Sequence, residues 1–367
     1  MHRCSKCLLP NTLPGSAFDE AGECSWCRSG YPNYRPKGAE KLEEFLSPYR
    51  KSSGAADCLV GVSGGKDSSY TLLQLIQSYG MKAEAFTYNH DGMAGFAMQN
   101  AVAVCERLDV KHHVVSLPPG AHLRSFRRFF KAWVKRPSNI TAGLTCVACK
   151  HLHILGARLA TRRKIPLIVW SNCPLEYAPY IALKLQNKGD NQLKRSGLWE
   201  GGSLLAKQVL GSKELLLSLV SDLRISVPGC LAFSPTTAYF KVLFPKLKHL
   251  FFYDYIDWNP AAIVDALEKN AGWKRPENVS DDWHSDCVFN VFKEYMFQKL
   301  IGASYTDSFL SSQIRYGILT RETAFEKLKQ SKKQFQRALF PALECTGLSE
   351  LKNELDPSCF ETEEQCR

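Results

Sequence analysis

"GVSGGKDSSYTLLQLI" occupies residues 61–76. It follows the apolar run "DCLVGV" (57–62), which reads as a buried strand, and it leads into a helix expected over Ser68–Tyr79. A strand, a glycine pair and a helix start make an anion cradle. The glycines let backbone N–H groups approach a phosphate, the helix N-terminus adds a partial positive charge, and Lys66 adds a full one. The loop is not of the Walker type, which needs G-x-x-x-x-G-K followed by Ser or Thr. Val60 stands at the first glycine position and Asp67 at the hydroxyl position. Asp67 would repel a phosphate unless Mg²⁺ lay between them.

Working outward, the pattern alternates. "KAEAFTY" (82–88), "HHVVSL" (112–117) and "IPLIVWSN" (165–172) read as strands, with helices expected over 98–108, 121–135 and 150–163. This order predicts an α/β fold, a doubly wound parallel sheet with ligands at the C-terminal ends of its strands. The domain expected is 57–180. Beyond 180 the alternation weakens: a polar, glycine-rich stretch, "NKGDNQLKRSGLWEGG" (187–202), precedes a mainly helical C-terminal domain, 181–367. Upstream, 31–56 reads as a helical linker.

Residues 1–30 carry two C-x-x-C knuckles, Cys4/Cys7 and Cys24/Cys27, separated by sixteen residues rich in turn formers. Four thiolates at this spacing suit a zinc ribbon with every coordination position filled, so Zn²⁺ is expected in a structural role. So short a segment has no core of its own, and metal binding would supply much of its folding energy.

The whole chain has 367 residues, 45% of them hydrophobic, and 14 cysteines. No apolar run approaches the roughly 20 residues that cross a bilayer, and "MHRCSKC" is no secretory signal. No membrane partner is expected, and the compartment expected is the cytosol, where clustered cysteines bind metal rather than form disulfides. The net charge of +11 is uneven: twelve lysines and arginines, and no acid, lie between Asp109 and Glu176. Two readings stay open. In "HLRSFRRFFKAWVKR" (122–136), Leu123, Phe126, Phe130 and Trp133 form an apolar stripe, so the bases are either a solvated helix face or a polyanion-binding surface.

"SGGKDS", Ser63, Gly64, Gly65, Lys66, Asp67 and Ser68, between a strand and a helix resembles the PP-loop of the ATP pyrophosphatases. The resemblance implies binding of ATP with Mg²⁺, these six residues gripping the outer phosphates. Lys66 and Asp67 would then act at the reacting centre, where a substrate carbonyl oxygen displaces pyrophosphate and a nucleophile displaces AMP. Over most of its length the chain also resembles the N-acetyl sugar amidotransferases of surface-polysaccharide biosynthesis. The blocks that carry this are "CSKCLLPNTLPGSAFDEAGECSWC" (4–27), the loop, "YIDWNPAAIVDALEKNAGWKRP" (255–276), "WHSDC" (283–287) and "IRYGILTRETAFEKL" (314–328). That family converts an acetamido to an acetamidino group. It implies a nucleotide-linked sugar as acceptor and, with no glutaminase signature in the chain, a separate glutaminase subunit as the ammonia source.

"TCVACKH" (145–151) opens an alternative. Cys146 and Cys149 with the distal Cys287 resemble the ligand layout of some PP-loop tRNA thiolases, implying a [4Fe–4S] cluster with one open iron for sulfide and tRNA as partner. Cys230 is a second candidate for the distal ligand, and His284 and Asp286 stand near enough in sequence to orient substrate or metal. Against these stand a zinc or redox pair, or buried thiols. Cys58, Cys105 and Cys173 read as packing residues. From another class comes an ATP-binding regulator without turnover. Amidotransfer ranks first and thiolation second.

Overall fold

The computed structural model describes residues 2–13, 15–30, 34–50, 56–176, 211–276 and 286–361. The stretch 187–202, His284 and Cys366 lie outside the described residues. In chain order the first elements are α1 (Ser25–Ser29), α2 (Ala39–Leu46), β1 (Cys58–Gly61), α3 (Lys66–Gln77), β2 (Ala83–Tyr88), α4 (Gly95–Arg107) and β3 (His112–Val115). Next come α5 (Ala121–Lys135), α6 (Asn139–Leu144), α7 (His151–Arg163), β4 (Leu167–Trp170), α8 (Lys213–Val220), α9 (Leu223–Leu231) and α10 (Ala238–Leu243). The chain closes with β5 (Lys248–Phe251), α11 (Pro260–Asn270), α12 (Asn290–Ile301), α13 (Tyr305–Arg315) and α14 (Arg321–Cys345).

Five strands pair in the order β3-β2-β1-β4-β5, every pair parallel, with Cys58 opposite both Ala83 and Leu167. The doubly wound sheet is therefore as expected. The order reverses between β1 and β4, so the crevice that takes ligands in such sheets opens where β1 ends, at residue 62. Central strands must be apolar on both faces, and β1 and β4 are. Cys58, Val60, Leu167 and Val169 point into a core built with α3, α4 and α11. Leu59, Ile168 and Trp170 point the other way, toward α7 and α10. This is the period-two alternation of a strand.

Two expectations need correction. The fifth strand lies in the part read as helical: Lys248–Phe251 is a four-residue edge strand with only Leu250 fully buried, too short for its alternation to stand out. The sheet thus draws on chain beyond residue 180. Helix α3 starts two residues earlier than expected, because Gly65 in extended conformation (φ −70°, ψ 160°) is its N-cap, and Lys66 and Asp67 form its first turn.

A third layer joins the N-terminus to the C-terminus. Cys4, Leu9, Leu13 and Trp26 share one core with Phe126, Phe130 and Trp133 of α5, Phe292 and Met296 of α12, and Leu339 and Leu343 of α14. The apolar stripe of α5 is buried there, and two of its bases serve the same contact. Arg127 donates to the Thr346 carbonyl, and Lys131 meets Glu350 at 2.5 Å. Part of the basic interval is accordingly used inside the fold.

Candidate active site

The loop 63–68 sits at the switch point of the sheet. Gly64 has φ +83°, and a Cβ placed there would lie 1.8 Å from the Ala97 carbonyl oxygen, so no other residue fits. The loop is tied to itself. The Ser63 N–H donates to Ser68 Oγ (3.0 Å), the Ser68 hydroxyl donates to the Gly65 carbonyl (3.1 Å), and the Gly65 N–H donates to Ser63 Oγ (3.3 Å). Lys66 is only 4% exposed and its Nζ lies 3.7 Å from Asp67 Oδ2.

Three aromatic side chains from the C-terminal half hold this loop from outside. Trp258 Nε1 donates to Asp67 Oδ1 at 2.8 Å, and the Lys66 ammonium lies 5.7 Å from the centre of the same ring. The Tyr253 hydroxyl donates to the Asp67 carbonyl (3.2 Å), and Trp273 Nε1 donates to the Gly64 carbonyl (2.9 Å). The stretch 255–276 contains both tryptophans, yet sequence reasoning gave them no role. Their sequence signal is a pair of tryptophans flanking one helix, which reads as core.

Beside the loop the structure gathers the other predicted cysteines. Cys146 and Cys149 lie on the turn that leads into α7, with the Cys149 N–H donating to the Cys146 carbonyl (3.1 Å). Cys287 bridges to Met93 just past the end of β2, pinned by Ala94 N–H to the Asp286 carbonyl (2.9 Å) and Val288 N–H to the Gly92 carbonyl (2.8 Å). Two of the thiols are held in their neutral form. Burial pushes Cys149 up to about 11, with Cys146 adding to it, and burial followed by Cys149, Asp286 and Cys146 pushes Cys287 well up. Asp286 joins the two halves. Its carboxyl is raised by burial, and hydrogen bonding from Ser63 and the charges of Lys293 and Lys66 oppose that rise. Lys293 lies over the Tyr305 ring, 4.3 Å from its centre. Cys230 packs instead in a separate cluster with Leu215 and Val147. Cys58, Cys105 and Cys173 are buried in the core.

The ribbon cysteines form the only donor set, among the described residues, whose ligand atoms all lie within 4.8 Å of one another. Cys4 and Cys27 sulfurs are 3.8 Å apart and those of Cys7 and Cys24 are 3.7 Å apart. Four thiolates about 2.3 Å from one zinc ion stand about 3.8 Å from each other, so the set fits a tetrahedral ion. Arg315 donates to Cys7 Sγ at 3.0 Å, and the Cys24 N–H donates to Cys4 Sγ at 3.2 Å, contacts that offset the charge of four thiolates. The sulfurs of Cys146, Cys149 and Cys287 are not drawn so close, which disfavours one ion held by all three and leaves room for a cluster whose irons sit at separate corners.

A cleft of about 240 Å³ opens at the C-terminal ends of β2 and β3, lined by Tyr88, His90, Asp91, Ser116, Pro118 and His122 among others. Asp91 accepts from the Gly120 and Leu123 N–H groups at the start of α5. Burial lowers His90 to about 4 and His122 to about 3, so both rings are neutral near pH 7. The Tyr88 hydroxyl donates to the Ala148 carbonyl, linking the cleft wall to the Cys146–Cys149 turn.

No protein-family model matches the chain. A stretch of 83 residues, 22% of this chain, is 34% identical to the NH₃-dependent NAD⁺ synthetase of Hyperthermus butylicus. The likeness is to an ammonia-using synthetase. The match spans 30% of that protein's length. Among solved structures, the NMN synthetase from Francisella tularensis superposes over 89% of this chain and 96% of its own, at TM-score 0.37 and 13% identity. The U34-tRNA thiolase NcsA from Methanococcus maripaludis, with its [4Fe–4S] cluster, covers 89% of each chain at TM-score 0.33 and 12% identity.

Proposed function

We propose that this chain is an ATP-using PP-loop enzyme that activates a carbonyl oxygen and replaces it with nitrogen. The observation that carries the reading is the loop itself: a self-bonded anion cradle at the sheet's switch point, with Lys66 and Asp67 locked beside it. Gripping the outer phosphates there leaves the α-phosphorus open. The acceptor's carbonyl oxygen attacks it, the bond to the β-phosphate breaks, and pyrophosphate leaves with its charge met by Lys66. Ammonia then adds to the adenylated carbon, loses a proton to Asp286, and AMP departs with the former carbonyl oxygen. Mg²⁺, held by Asp67 and the phosphates, would neutralise the charge developing on pyrophosphate. The cleft beside Tyr88 and His122 is sized for the planar part of a nucleotide or for the acceptor.

The acceptor we favour is a nucleotide-linked N-acetyl sugar, its acetamido group becoming acetamidino, with ammonia supplied by a separate glutaminase. The similarity to an ammonia-dependent synthetase supports nitrogen as the nucleophile. Zn²⁺ in the ribbon has a structural role in this reading. The test is AMP and pyrophosphate release from ATP with ammonium and a panel of nucleotide-linked N-acetyl sugars. Lys66→Ala should abolish it in protein that circular dichroism shows to be folded, and turnover retained in that variant would remove the loop from the chemistry.

One observation favours a second reading. Cys146, Cys149 and Cys287 converge beside the same loop, a layout suited to a [4Fe–4S] cluster that supplies an open iron for sulfide, with tRNA or a small carbonyl compound as acceptor. Iron and acid-labile sulfide in protein purified without oxygen, lost on Cys149→Ala, would put sulfur transfer first. One zinc per chain and no iron would leave amidotransfer in front.

A further inference from the structure

Among the described residues, nine of the ten large hydrophobic side chains that stand exposed fall between residues 216 and 243. They are not scattered. Leu216 and Val220 share one face of α8, and Leu223, Val227 and Leu231 share one face of α9, so each helix carries an exposed apolar stripe. Leu217, Phe233, Val242 and Leu243 are exposed in the same segment, Val242 to 77%. The opposite face of the helix pair is already used. Leu215 packs on Phe129 and Ala132 of α5, and Ile225 packs on Ala148. A Cβ on Gly229 would lie 2.4 Å from the Val147 carbonyl oxygen, between the two cysteines of the turn. The helices therefore cover the thiol site with one apolar face and turn a second apolar face outward. A concentration of exposed apolar side chains of this kind marks an interaction surface.

Charge identifies the partner. From residue 211 to 248 there are five lysines and arginines, namely Lys213, Arg224, Lys241, Lys246 and Lys248, against two acids. One of those acids, Glu214, already faces Lys135 at 3.8 Å. Along the other flank, Arg136 donates to the Gly211 carbonyl and the backbone of Arg128 accepts from Ser218, so the acid-free interval of the sequence borders the stripe. A second copy of this chain would set these bases against themselves across a two-fold axis. An apolar stripe with a basic rim instead matches a surface of acidic headgroups over hydrocarbon. No helix among the described residues is long and apolar enough to cross a membrane, so the helices would lie along such a surface.

We propose that the outer face of α8 and α9, extended by α10, docks the protein on an anionic phospholipid bilayer. The active-site turn that carries Cys146 and Cys149 then lies just behind the helices at the membrane surface. The inference does not depend on which nucleophile the enzyme uses.

The experiment is co-sedimentation of the full chain with vesicles of phosphatidylcholine alone and of phosphatidylcholine mixed with phosphatidylglycerol. Binding should be confined to the mixed vesicles and should weaken as salt rises. The double substitution Leu217→Glu with Val227→Glu should lower the partition coefficient about tenfold or more. Arg224→Glu with Lys241→Glu, which leaves the apolar stripe intact, should do so while preserving the melting temperature. Absence of binding to mixed vesicles would overturn the proposal, as would binding that neither pair of substitutions alters. A concentration-dependent dimer abolished by the leucine and valine changes, without vesicle binding, would assign the face to a second copy and equally overturn it.

Discussion

Trp258→Phe separates a loop that is merely buried from one in which Asp67 is held for chemistry. The indole N–H donates to Asp67 Oδ1 at 2.8 Å, while the ring, 2% exposed, packs edge-on against Phe309 with centroids 5.6 Å apart. Phenylalanine keeps a ring against Phe309 and removes the donor. A hydrogen bond to a charged acceptor is worth about 1.5–3 kcal/mol, and about 1.4 kcal/mol is tenfold in affinity. If that bond fixes the carboxylate in the pose that meets the metal of MgATP, affinity for a non-hydrolysable ATP analogue should fall roughly 10- to 100-fold with Mg²⁺ present. Without Mg²⁺ the analogue is held by the loop's N–H groups and Lys66, and its weaker affinity should hardly change. Calorimetric titration of both proteins, with and without the metal, reads this difference directly. An equal loss in both titrations would mean that the substitution only loosened the loop, and the metal-positioning argument would fail.

Gly64→Ala should cost at least about 2 kcal/mol, since a non-glycine residue at φ +83° is strained and its Cβ would overlap the Ala97 carbonyl. A melting temperature equal to that of the parent would contradict the geometry of the loop. Cys4→Ala should reduce metal content and melting temperature together, with Arg315→Met giving a smaller loss of metal affinity, of the order of tenfold. Full metal occupancy in Cys4→Ala would refute the ribbon assignment. Four buried histidines are lowered by desolvation, His122 to about 3 and His90, His153 and His249 to about 4, so the unfolded chain takes up protons that the folded chain refuses. Stability should therefore decline as pH falls from 6.5 toward 4. Glu294, raised to about 7 by burial, acts in the opposite sense, its contribution being lost as pH climbs from 4.5 through 7. Melting curves that do not change between pH 4 and 6.5 would refute the histidine argument.

The sheet was legible because β1 and β4 are apolar on both faces and helices separate them, a pattern that only a parallel, covered sheet satisfies. The glycine turn between β1 and α3 was legible because six consecutive residues build it. The gathering of Cys4, Cys7, Cys24 and Cys27 followed from spacing alone. What the sequence hid is non-local. Strand β5 is four residues long and lies at an edge, where one buried side chain suffices, so its pattern could not be told from a helix end. Trp258 and Trp273 reach the loop across more than 180 residues of chain, and a tryptophan says nothing of where its N–H points until the fold is closed. The placement of Cys287 against the segment that follows β2 depends on one short bridge to Met93, a contact no periodicity encodes.

Helix α13 shows why the four-cysteine segment belongs to this fold rather than being an appendage to it. Its first residue, Tyr305, lies under Lys293 at the thiol site, and its capping box is closed by Asp307, which also takes Arg3 of the ribbon at 2.7 Å and Lys332 of α14 at 3.8 Å. One turn on, Phe309 backs Trp258 and therefore Asp67. Its last residue, Arg315, reaches Cys7 and stacks on Trp26 of the ribbon. Eleven residues thus touch the four-cysteine segment, Lys293 and the tryptophan that supports the 63–68 loop. The ribbon cannot fold on a core of its own, and α13 carries buried charge at Asp307 that needs Arg3 as partner. Each makes good what the other lacks. An ion held by the four cysteines would therefore fix the helix against which the 63–68 loop is set.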